Sequence, residues 1–159
     1  MAAPDAVKLL PVGPEHRDAL ATFFERFAAS PAVEFFHPHT LCAAAAQERA
    51  DYQGKDFYAV LVGDHRVLGY GLLRGWDEGY EVPSLGVAID EGYRGLGLGR
   101  LMMEYLHAVA RLRGAPRVRL RVRETNRQAQ ELYRSMGYTL SSDSDGYMIG
   151  YLTLGRKLN

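Results

Sequence analysis

Three glycines at alternate positions, Gly95, Gly97 and Gly99, mark a point where the chain must change from one kind of structure to another. Before them, Ser84–Ile89 reads as a strand. After them, Leu98, Leu101, Met102, Tyr105, Leu106, Val109 and Leu112 recur with the period of an amphipathic helix that runs to about Arg113. Glycine costs about 1 kcal/mol relative to alanine inside a helix. Three at the mouth of one imply that something approaches the backbone there. A second strand follows: Val118, Leu120 and Val122 alternate with Arg117, Arg119, Arg121 and Arg123, one apolar face against one basic face. Strand, glycine turn, helix and strand together commit the chain to an α/β architecture.

The remaining segments extend that order. Val7–Val12 reads as a short strand, and Pro14 and Glu15 open a helix to about Ala29 with Phe23, Phe24 and Phe27 on one face. Thr40 is placed to cap a second helix through about Tyr52. Phe57–Val62 and Val67–Leu73 flank the turn "GDHR", a hairpin pattern. Thr125 or Asn126 opens a helix with Ala129, Leu132, Tyr133 and Met136 at i, i+3, i+4 and i+7, and Gly137 closes it. Tyr138–Leu140 and Met148–Leu154 are the last strands, joined by the turn "SSDSDG". The expected order is β, α, α, β, β, β, α, β, α, β, β.

A chain of 159 residues fits one domain, here taken as 1–159, and its 47% hydrophobic content can fill a core. Nineteen basic and nineteen acidic residues cancel, so no global charge draws the chain to nucleic acid or an anionic membrane. No apolar run approaches the ~20 residues of a membrane span, and "MAAPDAVKLL" lacks the pattern of a signal peptide. The single cysteine, Cys42, allows no internal disulfide and is compatible with a cytoplasmic protein.

Three loop chemistries compete for the glycine stretch "YRGLGLGRLMMEYL". A nucleotide P-loop ends in Gly-Lys-Ser/Thr, but Gly99 is followed by Arg100 and Leu101, so the lysine and the hydroxyl are missing. The dinucleotide pattern G-x-G-x-x-G fails from either start, because Arg100 and Met102 stand where the third glycine belongs. The pattern R-x-x-G-x-G is satisfied by Arg94, Gly97 and Gly99. There a helix N-terminus presents free N–H groups, and missing side chains let a pyrophosphate reach them. A plain glycine-rich turn is the alternative for these residues by themselves.

The segment "LGVAIDEGYRGLGLGRLMMEYL", followed by "LRVRETNRQAQELYRSMGY", resembles the GNAT superfamily of N-acetyltransferases over about a third of the chain, Leu85 to Tyr138. The first segment is similar to the family's acetyl-CoA signature, and the second to the strand and helix that complete its cleft. The resemblance implies a single-domain α/β fold, a twisted mixed sheet of about six to seven strands with helices on both faces. It implies that acetyl-CoA lies between two splayed strands. Val87 and Ile89 would offer backbone groups to the pantetheine arm, and Val87 N–H would polarise the thioester carbonyl. Arg94, Gly95, Gly97, Leu98, Gly99 and Arg100 would surround the pyrophosphate, and Asn126 would touch the cofactor arm. Tyr133, which periodicity alone makes a core residue, would protonate the leaving thiolate. The glutamate that some relatives use as base falls on Pro83 here, so that role passes to Glu81, with Glu78, Asp77 and Tyr80 as alternatives.

On this resemblance the expected activity is transfer of acetyl from acetyl-CoA to a primary amine of a small molecule, by direct attack in a ternary complex. A protein N-terminus or lysine as acceptor, or a non-catalytic acyl-CoA-binding module, are the rival readings. A homodimer through the C-terminal strands is compatible with each of them, and no nucleic-acid, membrane or metal partner is expected. His37 and His39 in "FFHPHT" lack a third metal ligand in the sequence and, with Phe35 and Phe36, are expected to border the acceptor site. The alternating arginines read as a solvated or helix-flanked strand face.

Overall fold

The computed structural model describes residues 4–155. Its strands are β1 (Lys8–Pro11), β2 (Phe57–Gly63), β3 (Arg66–Arg74), β4 (Ser84–Ile89), β5 (Arg117–Arg123), β6 (Thr139–Ser142) and β7 (Tyr147–Thr153). Its α-helices are α1 (Arg17–Ala28), α2 (Ala43–Ala50), α3 (Leu98–Leu112) and α4 (Arg127–Ser135). All seven strands form one sheet in the order β1-β2-β3-β4-β5-β7-β6. Every pair is antiparallel except β4 and β5, which the crossover helix α3 makes parallel. The expected mixed sheet with helices on both faces is therefore the observed fold.

Each face has its own core. Leu20, Phe23, Phe24 and Phe27 of α1 pack with Ala45 and Ala46 of α2 onto Tyr58, Val60, Tyr70 and Leu72 of the sheet. On the opposite face Met102, Met103, Leu106 and Ala110 of α3 meet Leu61, Leu73, Val118 and Leu120. Ala129, Leu132, Tyr133 and Met136 of α4 close that layer. Close approach of α3 depends on Gly71, where an added Cβ would lie 2.7 Å from Met102 Sδ and 3.1 Å from Leu106 Cδ1.

Local chemistry fixes the connections. Asp64 and His65 both take positive φ, 50° and 61°, which makes the two-residue β2–β3 turn of the primed type that matches strand twist. Gly137 ends α4 at φ 101°. Two expectations shift. The helix at Thr40 begins instead at Ala43, with Cys42 at its N-cap; Leu41 is buried and the Thr40 carbonyl accepts from His39 Nδ1 at 2.8 Å. The buried stripe of α3 also turns away from Leu112, which is 85% exposed, and takes in His107. The imidazole enters the core because His107 Nε2 and the Tyr138 hydroxyl share a hydrogen bond of 2.7 Å. No helix among the described residues is long and apolar enough to cross a membrane.

Candidate functional site

The strands β4 and β5 touch only where they begin. Ser84 is paired with Arg119, and Arg119 N–H donates to Pro83 O at 2.9 Å. Beyond Ser84 β4 pairs only with β3, through Ile89. Backbone groups alternate in direction along a strand. Asp90 N–H donates to Leu68 O of β3 at 2.8 Å, while Pro83 O faces β5. Even-numbered residues of β4 thus address β3, and Val87 and Ile89 turn their N–H and C=O toward the side that β5 has left. That is an open sheet edge inside the molecule, with ladder groups free for an extended ligand.

A cavity of about 450 Å³ occupies the gap. It brings together every residue of the expected cofactor set: Val87, Ile89, Arg94, Gly95, Gly97, Leu98, Gly99, Arg100 and Asn126, with Tyr133 beside them. The loop between β4 and α3 is held from behind by Asp90, whose carboxylate pairs with Arg26 of α1 and accepts from Gly92 N–H at 3.0 Å. Gly95 and Gly97 have φ of 77° and 82°, in the left-handed region where a side chain is strained. Gly97 is the N-cap of α3 and supplies no side-chain acceptor, so the first-turn N–H groups remain available. The first turn carries no acid either, and Arg94 makes no ion pair among the described residues. The helix dipole and the guanidinium therefore leave this corner positive. Arg100 Nη2 donates to Ser135 Oγ at 2.7 Å and ties the start of α3 to the end of α4.

At the start of α4, Asn126 Oδ1 accepts from Ala129 N–H at 3.3 Å. The side chain is a true N-cap, and Asn126 lines the cavity. Burial pushes the Tyr133 phenol up to about 12. The group is thus protonated throughout the neutral range, as a proton donor must be.

A larger cavity, about 890 Å³, adjoins the first. Its lining includes Ser84, Leu85 and Gly86, and the smaller one takes over at Val87. Phe35 and Phe36 border both. Its walls are the segment Glu34–Pro38 and the β3–β4 loop with Glu78, Tyr80 and Glu81. Its floor is sheet: Arg74, Arg117, Arg119 and Arg121, with Tyr147 and Tyr151. Glu81 therefore lies across the β4 edge from Tyr133, in the neighbouring cavity. Asp77 is drawn out of the set of candidate bases, because it accepts from Tyr52 and from Lys55 N–H; these bonds hold its carboxyl below the usual range, Tyr52 contributing most.

The arginine face is not helix-flanked. Helices α1 and α2 cover the sheet as far as β4, and past it the same face is bare and becomes the cavity floor. Which half of a sheet face a helix covers is a long-range property that strand periodicity does not carry. His37 also lines this cavity, but His39 is occupied elsewhere: its Nδ1–H donates to Thr40 O, so Nε2 accepts from the Tyr70 hydroxyl at 2.9 Å. Among the described residues no group of three or more His, Cys, Asp or Glu side chains is placed to hold a metal.

The two strands part over a glycine-braced helix N-terminus, and the chain belongs to the acetyltransferase (GNAT) family, which it matches over residues 20–138. The family's acyl donor is acetyl-CoA. The chain is 32% identical over 142 residues to a mycothiol acetyltransferase of Thermobifida fusca (strain YX), a match that covers 84% of this chain and 43% of that protein. The fold is similar to the GNAT domain of PAT from S. lividans, with a TM-score of 0.78 at 17% identity over 93% of this chain and 90% of that one. It is similar also to RimL, a ribosomal L7/L12 alpha-N-protein acetyltransferase in complex with coenzyme A, with a TM-score of 0.77 at 13% identity over 96% and 97% of the two chains.

Proposed function

We propose that this chain is an acetyl-CoA-dependent N-acetyltransferase acting on the primary amine of a small molecule. The observation that carries the acceptor class is the 890 Å³ cavity, walled by two loops and ending at Gly86, which has the size of a small-molecule site. The pantetheine arm pairs with Val87 and Ile89 along the open edge of β4. The pyrophosphate sits on the N–H groups of the Gly95–Gly99 loop between Arg94 and Arg100, with Leu98 beneath it, and Asn126 donates its amide to the arm. The amine enters from the larger cavity, losing its extra proton to water polarised by Glu81. Its nitrogen attacks the thioester carbonyl, whose oxygen takes a hydrogen bond from Val87 N–H. The C–S bond breaks, the thiolate takes the proton of the Tyr133 hydroxyl, and the proton that the nitrogen sheds on becoming an amide returns through water to the phenolate.

Tyr133→Phe tests the chemistry. It keeps the ring and its packing, so acetyl-CoA should raise the melting temperature as in the parent, while kcat on the best amine falls by roughly 10²–10⁴-fold. Full turnover with the chemical step limiting would remove Tyr133 from the role. Peptides with free N-termini belong in the acceptor panel, and preference for them over every small amine would overturn the small-molecule reading.

A further inference from the structure

The acceptor cavity sorts its charges by position. Arginines stand on the floor, from β3 and β5, and the carboxylates Glu34, Glu78 and Glu81 stand in the walls. Arg121 is neutralised by Asp143 at 3.3 Å and Asp145 at 3.6 Å. The other three have no acidic partner among the described residues: Arg74 donates to the carbonyl of Pro38 at 2.7 Å, and Arg117 lies over the Tyr151 ring at 4.5 Å. Arg119 has a buried Nε with no hydrogen-bond partner. A buried guanidinium nitrogen without an acceptor is costly, and Arg119 lines a cavity from which a ligand can bring an anion to this group. Arg119 also stands where it can act on an acceptor, since it pairs with Ser84, three residues before Val87 on β4, or ~10 Å of strand.

Resting on the acetyltransferase reading above, we infer that the acceptor is zwitterionic: a small amine that carries a carboxylate or phosphate several bonds from its nitrogen. The anionic group docks on Arg119 and Arg74, and the ammonium is drawn to the glutamate-lined walls. The two attractions orient the molecule so that its nitrogen leads toward Gly86 and Val87. Polycationic amines meet the arginine floor as like charges and are rejected.

Matched acceptors decide it: glucosamine 6-phosphate against glucosamine, glycylglycine against glycylglycinamide, and spermidine as the polycation. The expected result is a kcat/KM at least roughly tenfold higher for the anionic member of one pair, the scale of one charged hydrogen bond, with the pair that responds telling phosphate from carboxylate. In Arg119→Gln that ratio should collapse, mainly through KM, and Arg119→Lys should restore part of it. Preference for neutral or polycationic acceptors, or an Arg119→Gln variant that slows both members of each pair equally, overturns the inference. Thermal stabilisation by inorganic phosphate is read without any donor and in an Arg94→Gln background, which weakens phosphate binding at the glycine loop: a shift that Arg119→Gln abolishes there supports the anion site even if acetyl-CoA fails to bind, and a shift that it leaves unchanged overturns it. Absence of stabilisation by acetyl-CoA counts against the parent reading alone.

Discussion

Gly99 separates what the loop needs for folding from what it needs for a ligand. Gly97 cannot make that separation, because its φ of 82° strains any side chain. Gly99 lies inside α3, and an added Cβ would meet only Ile89 Cγ1 at 3.8 Å, an ordinary contact. Gly99→Ala should therefore leave stability unchanged or raise it by up to ~1 kcal/mol through helix propensity. Binding should suffer instead, with acetyl-CoA affinity lower by roughly tenfold, about one charged hydrogen bond. Calorimetric titration beside a melting curve checks both halves, and unaltered affinity would mean that no ligand approaches this backbone. At this scale the sequence was informative. Arg100, Leu101 and Met102 behind the glycines excluded two nucleotide loops, and Asn126 announced a helix start that it does cap. Arg119 was visible too, but its surroundings were not, since they come from β3, the β3–β4 loop and β7.

The packing of α3 on β3 turns on a missing side chain. Met102 and Leu106 fill the space that Gly71 leaves, which sets the depth of the helix whose N-terminus bears the glycine loop. Gly71→Ala forces these side chains to shift and should cost about 1–3 kcal/mol, the range for an overpacked core. Urea unfolding measures the loss, and a midpoint equal to the parent's would show that α3 can ride higher without penalty. The order of elements was legible because each has its own period and its own punctuation. The depth of α3 was not, and neither was its rotation. Periodicity favoured Leu112, yet the buried stripe includes His107, an inward-facing polar group that makes sense only beside Tyr138, 31 residues further along. The late start of α2 has the same origin, because the burial of Leu41 overrides the capping preference of Thr40.

The His107–Tyr138 pair also sets how the whole molecule responds to acid. Burial, helped by the positive charge of Arg111, pulls the imidazole down to about 4 from 6.5. Above pH 6.5 the histidine is neutral in folded and unfolded chains alike, and its titration does not enter the stability. As pH falls from 6.5 to 4 the unfolded chain takes up a proton that the folded one refuses, so stability declines through that window and levels off below it. His107→Gln retains a hydrogen-bonding partner for Tyr138 and removes the titration, so its melting temperature should fall less steeply over those pH values. An identical slope in the variant would assign the acid sensitivity to other groups. The parting of β4 from β5 was foreseen through family resemblance, whereas strand patterns by themselves say nothing about where two neighbours stop pairing.

Along β4 the two cavities meet end to end, with the change at Gly86 and Val87 and the rings of Phe35 and Phe36 on both sides of it. On the proposed chemistry this gives the reaction chamber two doors. The carrier and the acceptor use different ones, so neither blocks the other's path. The acetylated product can depart while the spent thiol still sits in its own doorway, and a fresh amine can step in before the carrier is exchanged. Order of arrival is then a matter of relative concentration, not of architecture.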